Sequence, residues 1–413
     1  MGREVIRALL ERPLALTPSD GRRLELVAVA VRDLRKHVAT GIPEQYLTDA
    51  PAHVVASSDV DVVVEVMGGE EPARMLVAAA LGAGKPVVTA NKHMLAHHGP
   101  DLEAIVRRSG ATFRFEAAVG GGIPVLSTIA FDLAANRIDR IRGIVNGTTN
   151  AILTMMDRDG FTYEDALARA QAAGYAEADP AADVEGDDAV NKVVILARLA
   201  FGAWVAPAAV PRRPPSLLDG GRPGITGVTV EEMRAASVLG LTIRLLAVAE
   251  RTDGHDDDPL ARVLPAAVPV DSHFGQTTGV LNRIEIDAVP LGRVAVDGPG
   301  AGGPSTSSAV LADLMAIARG EGSSWAGLAP VTEQRDHSGP GPAEARHSRF
   351  GWFAFVPGLS GRQMHAAPAG LYGVEAPGGV AIRSAEQSLE RVRASLRALM
   401  PGPLDVPIYP IED

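Results

Sequence analysis

Six carboxylates fall within one short stretch of the sequence, directly before a helix that carries a lysine. They are Glu177, Asp179, Asp183, Glu185, Asp187 and Asp188. Lys192 stands at position i+4 from Asp188, so both side chains lie on one face of the predicted helix. Where a lysine lies beside carboxylates in a cleft, the carboxylates can bind an amino-acid ammonium and the lysine can act on a carbonyl. The alternative is a solvated acidic loop with an ordinary ion pair.

The helix after this loop favours the catalytic interpretation. Residues 193–196 make it apolar nearly all round, and a buried lysine costs free energy unless it is paired. A second lysine, Lys92, follows residues 86–91, where a parallel strand is predicted to end and a helix to begin. Ligands of doubly wound sheets bind at the carboxyl ends of the strands. A surface lysine at a helix start is the alternative for Lys92.

Glu116 ends another predicted strand, and the glycine run 120–122 follows it. Such a run lets several backbone carbonyls and one carboxylate converge on a hard cation. The alternative is a tight turn without a ligand.

Two weaker patterns complete the candidate ligand sites. His93, His97 and His98 have a helical spacing that can bind a metal, but no acidic ligand stands nearby in the sequence and a solvated helix face is favoured. The run GPGAGG at residues 298–303 precedes a helix. It suits close approach to a phosphate or ribose, although the pattern is weak by itself.

The elements that must position these residues alternate between strand and helix in the first half, which predicts a doubly wound parallel sheet. Strands are predicted at 24–31, 61–67, 86–89 and 113–117, with helices at 71–82 and from about Lys92. Residues 1–23 contain no predicted strand, so the chain opens directly on a helix. Further along, the predicted strands are 138–145, 243–248, 280–286 and 350–356, and the predicted helices are 125–135, 308–319 and 384–399.

Composition narrows the class of protein. The 413 residues are 46% hydrophobic and 22% charged, which is typical of a globular protein with two or three domains. A formal charge of −11 disfavours a broad nucleic-acid surface. The absence of cysteine excludes disulfides and thiolate chemistry and indicates a cytoplasmic protein. Residues 193–210 contain Arg198 and Pro207, so we interpret them as a buried helix and not as a membrane span.

Six segments resemble those of homoserine dehydrogenases, in the family's order and at its approximate spacing. They are 61–69 (DVVVEVMGG), 84–92 (GKPVVTANK), 115–124 (FEAAVGGGIP), 143–150 (GIVNGTTN), 174–192 (GYAEADPAADVEGDDAVNK) and 298–303 (GPGAGG). The resemblance covers roughly residues 24–200 and 224–319. Any one segment is a weak signal, but six in order are highly specific.

The resemblance implies reversible reduction of L-aspartate 4-semialdehyde to L-homoserine with NADPH or NADH, on the path to threonine and methionine. It implies that Lys192 donates a proton to the carbonyl oxygen, with Lys92 close by. The residues that it implies for substrate binding are Glu177 and Asp188, with Gly147, Thr148 and Tyr175 lining the pocket.

The resemblance also implies a sodium ion and a nicotinamide cofactor. The sodium ligands would be Glu116 and the carbonyls of Val119, Gly121 and Ile123. Arg32 follows the strand ending at Val31, where an NAD-binding protein has an acidic residue for the ribose. An arginine suits a 2′-phosphate, so NADP(H) is favoured over NAD(H). The other cofactor-contacting positions that match the family are Lys92, Gly174 and Gly300.

The N-terminus departs from the family pattern. Family members begin with a strand and a GxGxVG loop, and residues 1–5 (MGREV) match only the last two positions of that loop. We expect the protein to extend upstream, with Met1 standing where the family has a valine encoded by GTG. If the chain begins at Met1, its sheet lacks the first strand and the phosphate loop.

We therefore predict an α/β protein with a Rossmann-like sheet lacking its first strand and an α+β catalytic and dimerisation domain. The predicted units are residues 1–125 with 296–330 for the nucleotide, 126–295 for catalysis, and 345–413 as a degenerate ligand-sensing βαββαβ segment. The resemblance implies a homodimer. Two alternatives to an active homoserine dehydrogenase are a non-catalytic paralogue with impaired cofactor binding and another reductase acting on an amino-acid aldehyde.

Overall fold

Two small parallel sheets form the N-terminal part of the protein. The computed structural model describes residues 1–12, 16–35, 41–252, 255–325, 327–331, 351–364, 367–400 and 402–412. Strand β1 (Val29–Ala30) pairs with β2 (Leu47–Thr48) in one sheet. The other sheet has the order β3 (Val63–Glu65), β4 (Val87–Thr89) and β5 (Phe113–Arg114). The predicted doubly wound class is confirmed.

A cavity of about 1540 Å³ separates these two sheets. Its walls include both strand edges, residues 24–32 and 60–69, together with the first turn of the N-terminal helix. Strand β1 therefore has a hydrogen-bonded neighbour on one side only among the described residues. The prediction of a long strand over residues 24–31 is wrong, because only Val29 and Ala30 find a partner with which to form a ladder.

Several of the helices in the described residues begin or end at a recognisable capping residue. Asn91 caps the helix that starts at Lys92 by accepting from the amide of Met94, and Gly110 ends it at φ 73°, which favours glycine. The helices are α1 (Gly2–Glu11), α2 (Pro51–Ala56), α3 (Ala73–Gly82), α4 (Lys92–Ser109), α5 (Val125–Ser127), α6 (Gly147–Asp159), α7 (Tyr163–Ala172), α8 (Ala181–Val184), α9 (Asp187–Phe201), α10 (Val230–Val238), α11 (His273–Gln276), α12 (Gly303–Ala318), α13 (Gly361–Met364) and α14 (Leu389–Leu399).

A nine-stranded mixed sheet forms the rest of the molecule, in the order β10-β9-β6-β7-β8-β14-β11-β13-β12. Its strands are β6 (Arg137–Ile144), β7 (Leu241–Thr252), β8 (His255–Pro269), β9 (Leu281–Val289), β10 (Gly292–Pro299), β11 (Gly351–Pro357), β12 (Leu371–Ala376), β13 (Gly379–Ser384) and β14 (Tyr409–Ile411). The last six elements, from β11 to β14, follow one another in the order βαββαβ. They join the central sheet through β14, which pairs with β8 at a single position, Ile411 with Ala267.

Helix α9 lies in the middle of the largest apolar core and packs on β7 and β8. Its 15 residues are buried almost throughout, which agrees with the interpretation of residues 193–201 as a core helix. The helix ends at Phe201, so the prediction is wrong for residues 202–210. Among the described residues, no helix combines the length and the apolar character that crossing a bilayer would require.

Three further predicted elements differ from the structure. The helix predicted at 125–135 is a three-residue turn, α5, followed by a wider turn over Thr128–Asp132. The strand predicted at 113–117 stops at Arg114 because Glu116–Ala118 forms a 3₁₀ turn. The helix predicted from 384 starts at Leu389, since Ser384 still pairs in β13. Phe350, the first residue of the last predicted strand, lies outside the described residues.

Candidate active site

Three elements bring the chemically important side chains together at the junction of the two parts of the chain. Strand β6 ends at Ile144 and delivers Val145 and Asn146. Helix α9 begins with Asp187 and Asp188, where the positive end of the helix dipole favours carboxylates. Helix α4 starts with Lys92 at the carboxyl end of the parallel strand β4.

Lys192 is held by two acceptors. Its Nζ donates to Oδ2 of Asp188 at 2.7 Å and to the carbonyl oxygen of Val145 at 2.6 Å. Lys92 approaches the same carboxylate from the other side, with its Nζ 3.3 Å from Oδ1 of Asp188. Lys192 is only 8% exposed. One buried aspartate therefore orients two ammonium groups that come from different parts of the fold.

The two lysines keep Asp188 ionised. Burial by itself raises the pKa of this carboxyl, but the attraction of Lys192 and then of Lys92 outweighs burial and lowers the pKa to about 2. The carboxylate is therefore charged throughout the neutral pH range.

Asn146 and Asp183 belong to this cluster. The sequence places Asp183 in the acidic loop but assigns no individual role to it or to Asn146. Nδ2 of Asn146 donates to Oδ1 of Asp183 at 2.7 Å and to Oδ2 of Asp188 at 2.8 Å. Its Oδ1 accepts from the amide of Thr149 and caps α6. An asparagine directly before a predicted helix is a recognisable N-cap signal, but the contact with two distant aspartates depends on the tertiary fold.

Asp183 has a different environment from Asp188. Burial and the nearby charge of Asp188 raise the pKa of Asp183, while the hydrogen bond from Asn146 lowers it, and the net shift is upward. The cluster thus contains one carboxyl whose pKa is lowered and one whose pKa is raised.

Among the residues predicted to bind substrate, Asp188 lies in the cluster and the others differ in exposure and contacts. Glu177 and Tyr175 are exposed, and the hydroxyl of Thr148 donates to the carbonyl of Tyr175 at 2.7 Å. Gly147 has no room for a side chain, because a Cβ there would lie 2.8 Å from the carbonyl oxygen of Val280. Gly174, which precedes this rim, has φ 74°.

The carboxylate of Glu116 is buried and accepts from backbone and side-chain donors. Oε1 accepts from the amide of Leu126 at 2.9 Å, and Oε2 accepts from the amide and the hydroxyl of Ser127, both at 2.7 Å. Burial raises the pKa of Glu116 despite these bonds. Because a carboxylate offers about four lone-pair sites, three bonds leave room for one further contact.

The turn that follows Glu116 packs against the second glycine-rich run. A Cβ on Gly121 would lie 2.7 Å from the backbone of Gly300, so close contact between the two backbones requires glycine here. Val119 and Ile123, whose carbonyls were predicted as cation ligands, belong to the same turn and are buried. A tight turn and a cation site are therefore compatible at this position.

The cavity between the two N-terminal sheets contains the features expected of a nucleotide site. Arg32 is exposed and lines it, and so do Gly68, Gly69 and the first residues of α1. Helix N-termini bind phosphate through their free amides. The residues present therefore fit a nicotinamide dinucleotide. The cavity is larger than the 300–1,000 Å³ typical of small-molecule pockets, because it includes the space between β1 and β3.

Two of the three histidines of α4 lie close to Glu70, an acidic residue distant from them in the sequence. Nε2 of His98 lies 2.6 Å from Oε1 of Glu70, and Nε2 of His93 lies 3.7 Å from Oε2 of the same residue. Within the described ranges, no group of three or more histidine, cysteine or acidic residues has the arrangement of a metal site. These histidines therefore lie on a solvated helix face, as favoured from the sequence, and Glu70 is their ion-pair partner.

Comparisons with known proteins extend this picture. A family model described as "Homoserine dehydrogenase, NAD binding domain" matches residues 1–116, and one described as "Homoserine dehydrogenase" matches residues 124–315. The homoserine dehydrogenase of Mycobacterium tuberculosis is 43% identical over 321 residues, covering 77% of this chain and 70% of that protein.

Solved structures agree in fold. The crystal structure of a homoserine dehydrogenase from Thiobacillus denitrificans has a TM-score of 0.85 and 32% sequence identity, covering 100% of this chain and 96% of that chain. A hyperthermophilic archaeal homoserine dehydrogenase, described in complex with NADPH, has a TM-score of 0.62 at 24% identity, covering 78% of this chain and 95% of that chain.

The doubly wound part and the matching NAD-binding domain model define a nicotinamide-dependent oxidoreductase. The chain belongs to the homoserine dehydrogenase family. The relatives do not support the alternative of a non-catalytic paralogue.

Proposed function

We propose that this protein reduces L-aspartate 4-semialdehyde reversibly to L-homoserine, with Lys192 as the proton donor. The observation that carries the proposal is the buried contact of Lys192 with Asp188, with Lys92 on the other oxygen of the same carboxylate. Negative charge develops on the aldehyde oxygen during reduction. An ammonium aimed at that oxygen stabilises the transition state more than the ground state.

The bound cofactor supplies the hydride that reduces the aldehyde carbon. Lys192 gives one proton from Nζ to the carbonyl oxygen, so the aldehyde becomes a primary alcohol and the lysine becomes a neutral amine. In the reverse direction the same amine takes the alcohol proton. The carbonyl of Val145 and the carboxylate of Asp188 fix Nζ in place for both directions, which reduces the cost of orienting the acid.

The two ends of the substrate need different partners. Glu177 stands at the exposed rim, where its carboxylate can bind the substrate ammonium, while Asp188 serves the oxygen end. Gly147, Thr148 and Tyr175 shape the wall between them. We further propose that Arg32 binds the 2′-phosphate of NADPH, with Lys92, Gly174 and Gly300 contacting the rest of the cofactor. The archaeal relative described with NADPH supports the choice of cofactor.

Oxidation of NADPH in the presence of aspartate semialdehyde, followed by absorbance, tests the reaction. We expect saturable oxidation with this aldehyde and much slower oxidation with an aldehyde that lacks the amino group. The assay is run on this chain and on a version carrying upstream sequence. Absence of activity in both would overturn the proposed reaction, and equal rates with both aldehydes would overturn the role of Glu177.

Replacing Arg32 with glutamine should raise KM for NADPH by about tenfold or more, because a charge-assisted contact with phosphate contributes about 1.5–3 kcal/mol. KM for NADH should change by less than about twofold, since NADH lacks the 2′-phosphate. Steady-state kinetics with both cofactors measures this difference, and NADH serves as the internal control. Equal losses for the two cofactors would contradict the assignment.

Replacing Asn146 with alanine should lower kcat/KM by about ten- to a hundredfold, because Asp183 and Asp188 lose their shared donor. The variant also loses a helix cap, worth about 1 kcal/mol. Thr162→Ala is the matched control, since Thr162 caps α7 through the amide of Asp165. We expect similar losses of Tm in both variants and loss of activity only in Asn146→Ala. Equal activities in the two variants would show that Asn146 acts only as a cap.

We also propose that Glu116 and the carbonyls of Val119, Gly121 and Ile123 hold a sodium ion. The supporting observation is a buried carboxylate beside a glycine turn with one acceptor site left. Because burial raises the pKa of Glu116, protons should compete with the cation as pH falls. Activation by sodium chloride over choline chloride measures this effect, and Glu116→Gln should abolish it.

We further propose that residues 1–125 with 296–330 bind the nucleotide, that 126–295 form the catalytic and dimerisation domain, and that the protein is a homodimer. The observation that supports the homodimer is a group of exposed apolar side chains near the edge strand β10, among them Val289 and Leu291. Light scattering after gel filtration distinguishes a dimer from a monomer.

A further inference from the structure

A second cavity lies away from the candidate active site, between the central sheet and the C-terminal βαββαβ segment. Its volume is about 640 Å³, which is within the range of small-molecule pockets. Strands β6 and β10 form one wall, and residues 370–372 and 383–386 form the opposite wall. None of the residues assigned to the proposed reaction lines it.

The charged side chains that line this cavity are mostly arginines. They are Arg140, Arg142, Arg293, Arg383, Glu386 and Glu412. Three further acids pair with these arginines: Glu250 with Arg140, Glu285 with Arg142 and Arg293, and Asp287 with Arg293. Guanidinium groups held together in a partly enclosed space offer several N–H donors to an anion, and such contacts are stronger where water is partly excluded.

One carboxylate serves several of these cations at once. Glu412 lies 2.6 Å from Arg140, 2.8 Å from Arg262 and 3.8 Å from Arg142, measured between the closest nitrogen and oxygen atoms. Glu250 pairs with Arg140 and Arg262 from behind. Glu412 and Arg142 are both almost fully buried. The acids thus fix Arg140, Arg142 and Arg293 in place around the cavity.

Arg383 completes the cavity from the C-terminal segment. It lies on β13 and is exposed, and no ion pair joins it to another residue in the described part of the chain. The arginines across the cavity, Arg140 and Arg142, lie on the same strand β6 and therefore have a rigid backbone. A planar guanidinium binds the oxygens of a phosphate group in a fixed, two-pronged geometry.

We propose that this cavity binds a phosphate group, either as inorganic phosphate or as part of a small phosphorylated metabolite. The phosphate pairs with Arg383 on one side of the cavity and accepts hydrogen bonds from Arg140 and Arg142 on the other. This site is separate from the proposed cofactor site around Arg32, because the two cavities share no lining residue.

Calorimetric titration tests the proposal on the full chain saturated with NADPH, so that the cofactor site is occupied. The probes are inorganic phosphate and glycerol 3-phosphate, at an ionic strength held constant with chloride. We expect saturable binding that Arg383→Gln weakens about tenfold or more. Arg391→Gln is the matched control, because Arg391 is an exposed arginine on α14 that does not line the cavity.

The outcomes separate the two sources of the ligand. Tighter binding of glycerol 3-phosphate indicates a phosphorylated metabolite, and equal binding indicates free phosphate. No saturable binding of either probe would overturn the proposal, as would equal affinities for Arg383→Gln and the parent protein. Because binding is measured and not catalysis, failure here is distinguishable from failure of the proposed reaction.

Discussion

Replacing Lys192 with alanine is expected to lower kcat about 1,000-fold, while KM for aspartate semialdehyde changes by less than about tenfold. The ammonium acts on charge that appears only in the transition state, so its loss affects the rate more than substrate binding. The substrate ammonium keeps its partner Glu177 in this variant. Steady-state kinetics in both directions measures the two parameters.

Two further variants separate proton donation from charge and from general effects of losing a lysine. Lys192→Arg keeps a positive charge near Asp188 but remains protonated, since an arginine does not give up its proton in proteins, and it should therefore be nearly as slow as the alanine variant. Lys85→Ala should retain the parent kcat, because Lys85 donates to the carbonyl of Ser57, away from the site. A folded Lys192→Ala protein with kcat within tenfold of the parent would reject the assignment.

Acid should weaken the same ion pair only at very low pH. The pKa of Asp188 is lowered from 3.8 to about 2, because its two lysines outweigh burial. A carboxyl whose pKa is lower in the folded state contributes stability above its unfolded pKa and loses it as pH falls through the folded value. The shift corresponds to roughly 2 kcal/mol at neutral pH. Any loss of activity between pH 7 and 5 must therefore come from a group other than Asp188.

Replacing Arg198 with alanine should destabilise the protein by about 3–5 kcal/mol, because it removes the main partner of a buried carboxylate. Arg198 makes two hydrogen bonds to Glu103, at 3.0 and 2.7 Å, and is 0% exposed. Glu103 lies on α4, which begins at Lys92, and Arg198 lies on α9, which carries Asp188 and Lys192. The pair therefore fixes the two helices that bring both lysines to one aspartate.

Arg107 provides a matched control on the same carboxylate. It donates to Oε1 of Glu103 at 2.8 Å, but its side chain is 30% exposed. Solvent weakens such a pair, so Arg107→Ala should cost at most about 1 kcal/mol. Urea unfolding followed by circular dichroism compares the two. Equal destabilisation by both substitutions would show that burial does not set the strength of this cluster.

Local spacing predicted part of the candidate site correctly. Asp188 and Lys192 stand one helical turn apart, and the structure places their charged groups in contact. Lys92 was placed at the end of a parallel strand, where the structure has it. These predictions depend on helix periodicity and on the direction of parallel strands, and both are properties of short segments.

Local spacing does not predict contacts between residues that are far apart in the sequence. Asn146 was part of a recognised segment, but its bonds to Asp183 and Asp188 span 37 and 42 residues. Strand β1 shows the same limit, because residues 24–31 have strong strand propensity and only Val29 and Ala30 pair. Propensity favours an extended backbone, whereas a ladder forms only where a neighbouring strand is present.

The sequence by itself determined the doubly wound class, the family, and the i,i+4 pair of Asp188 and Lys192, because each is written in local patterns or in segments of fixed order. Only the tertiary structure decided that Lys92 shares the carboxylate of Asp188, that Asn146 joins two aspartates, and that arginines from β6, β10 and β13 surround one cavity. Those contacts depend on how strands and helices distant in sequence pack, and hydrophobic burial, which drives the packing, does not specify polar partners.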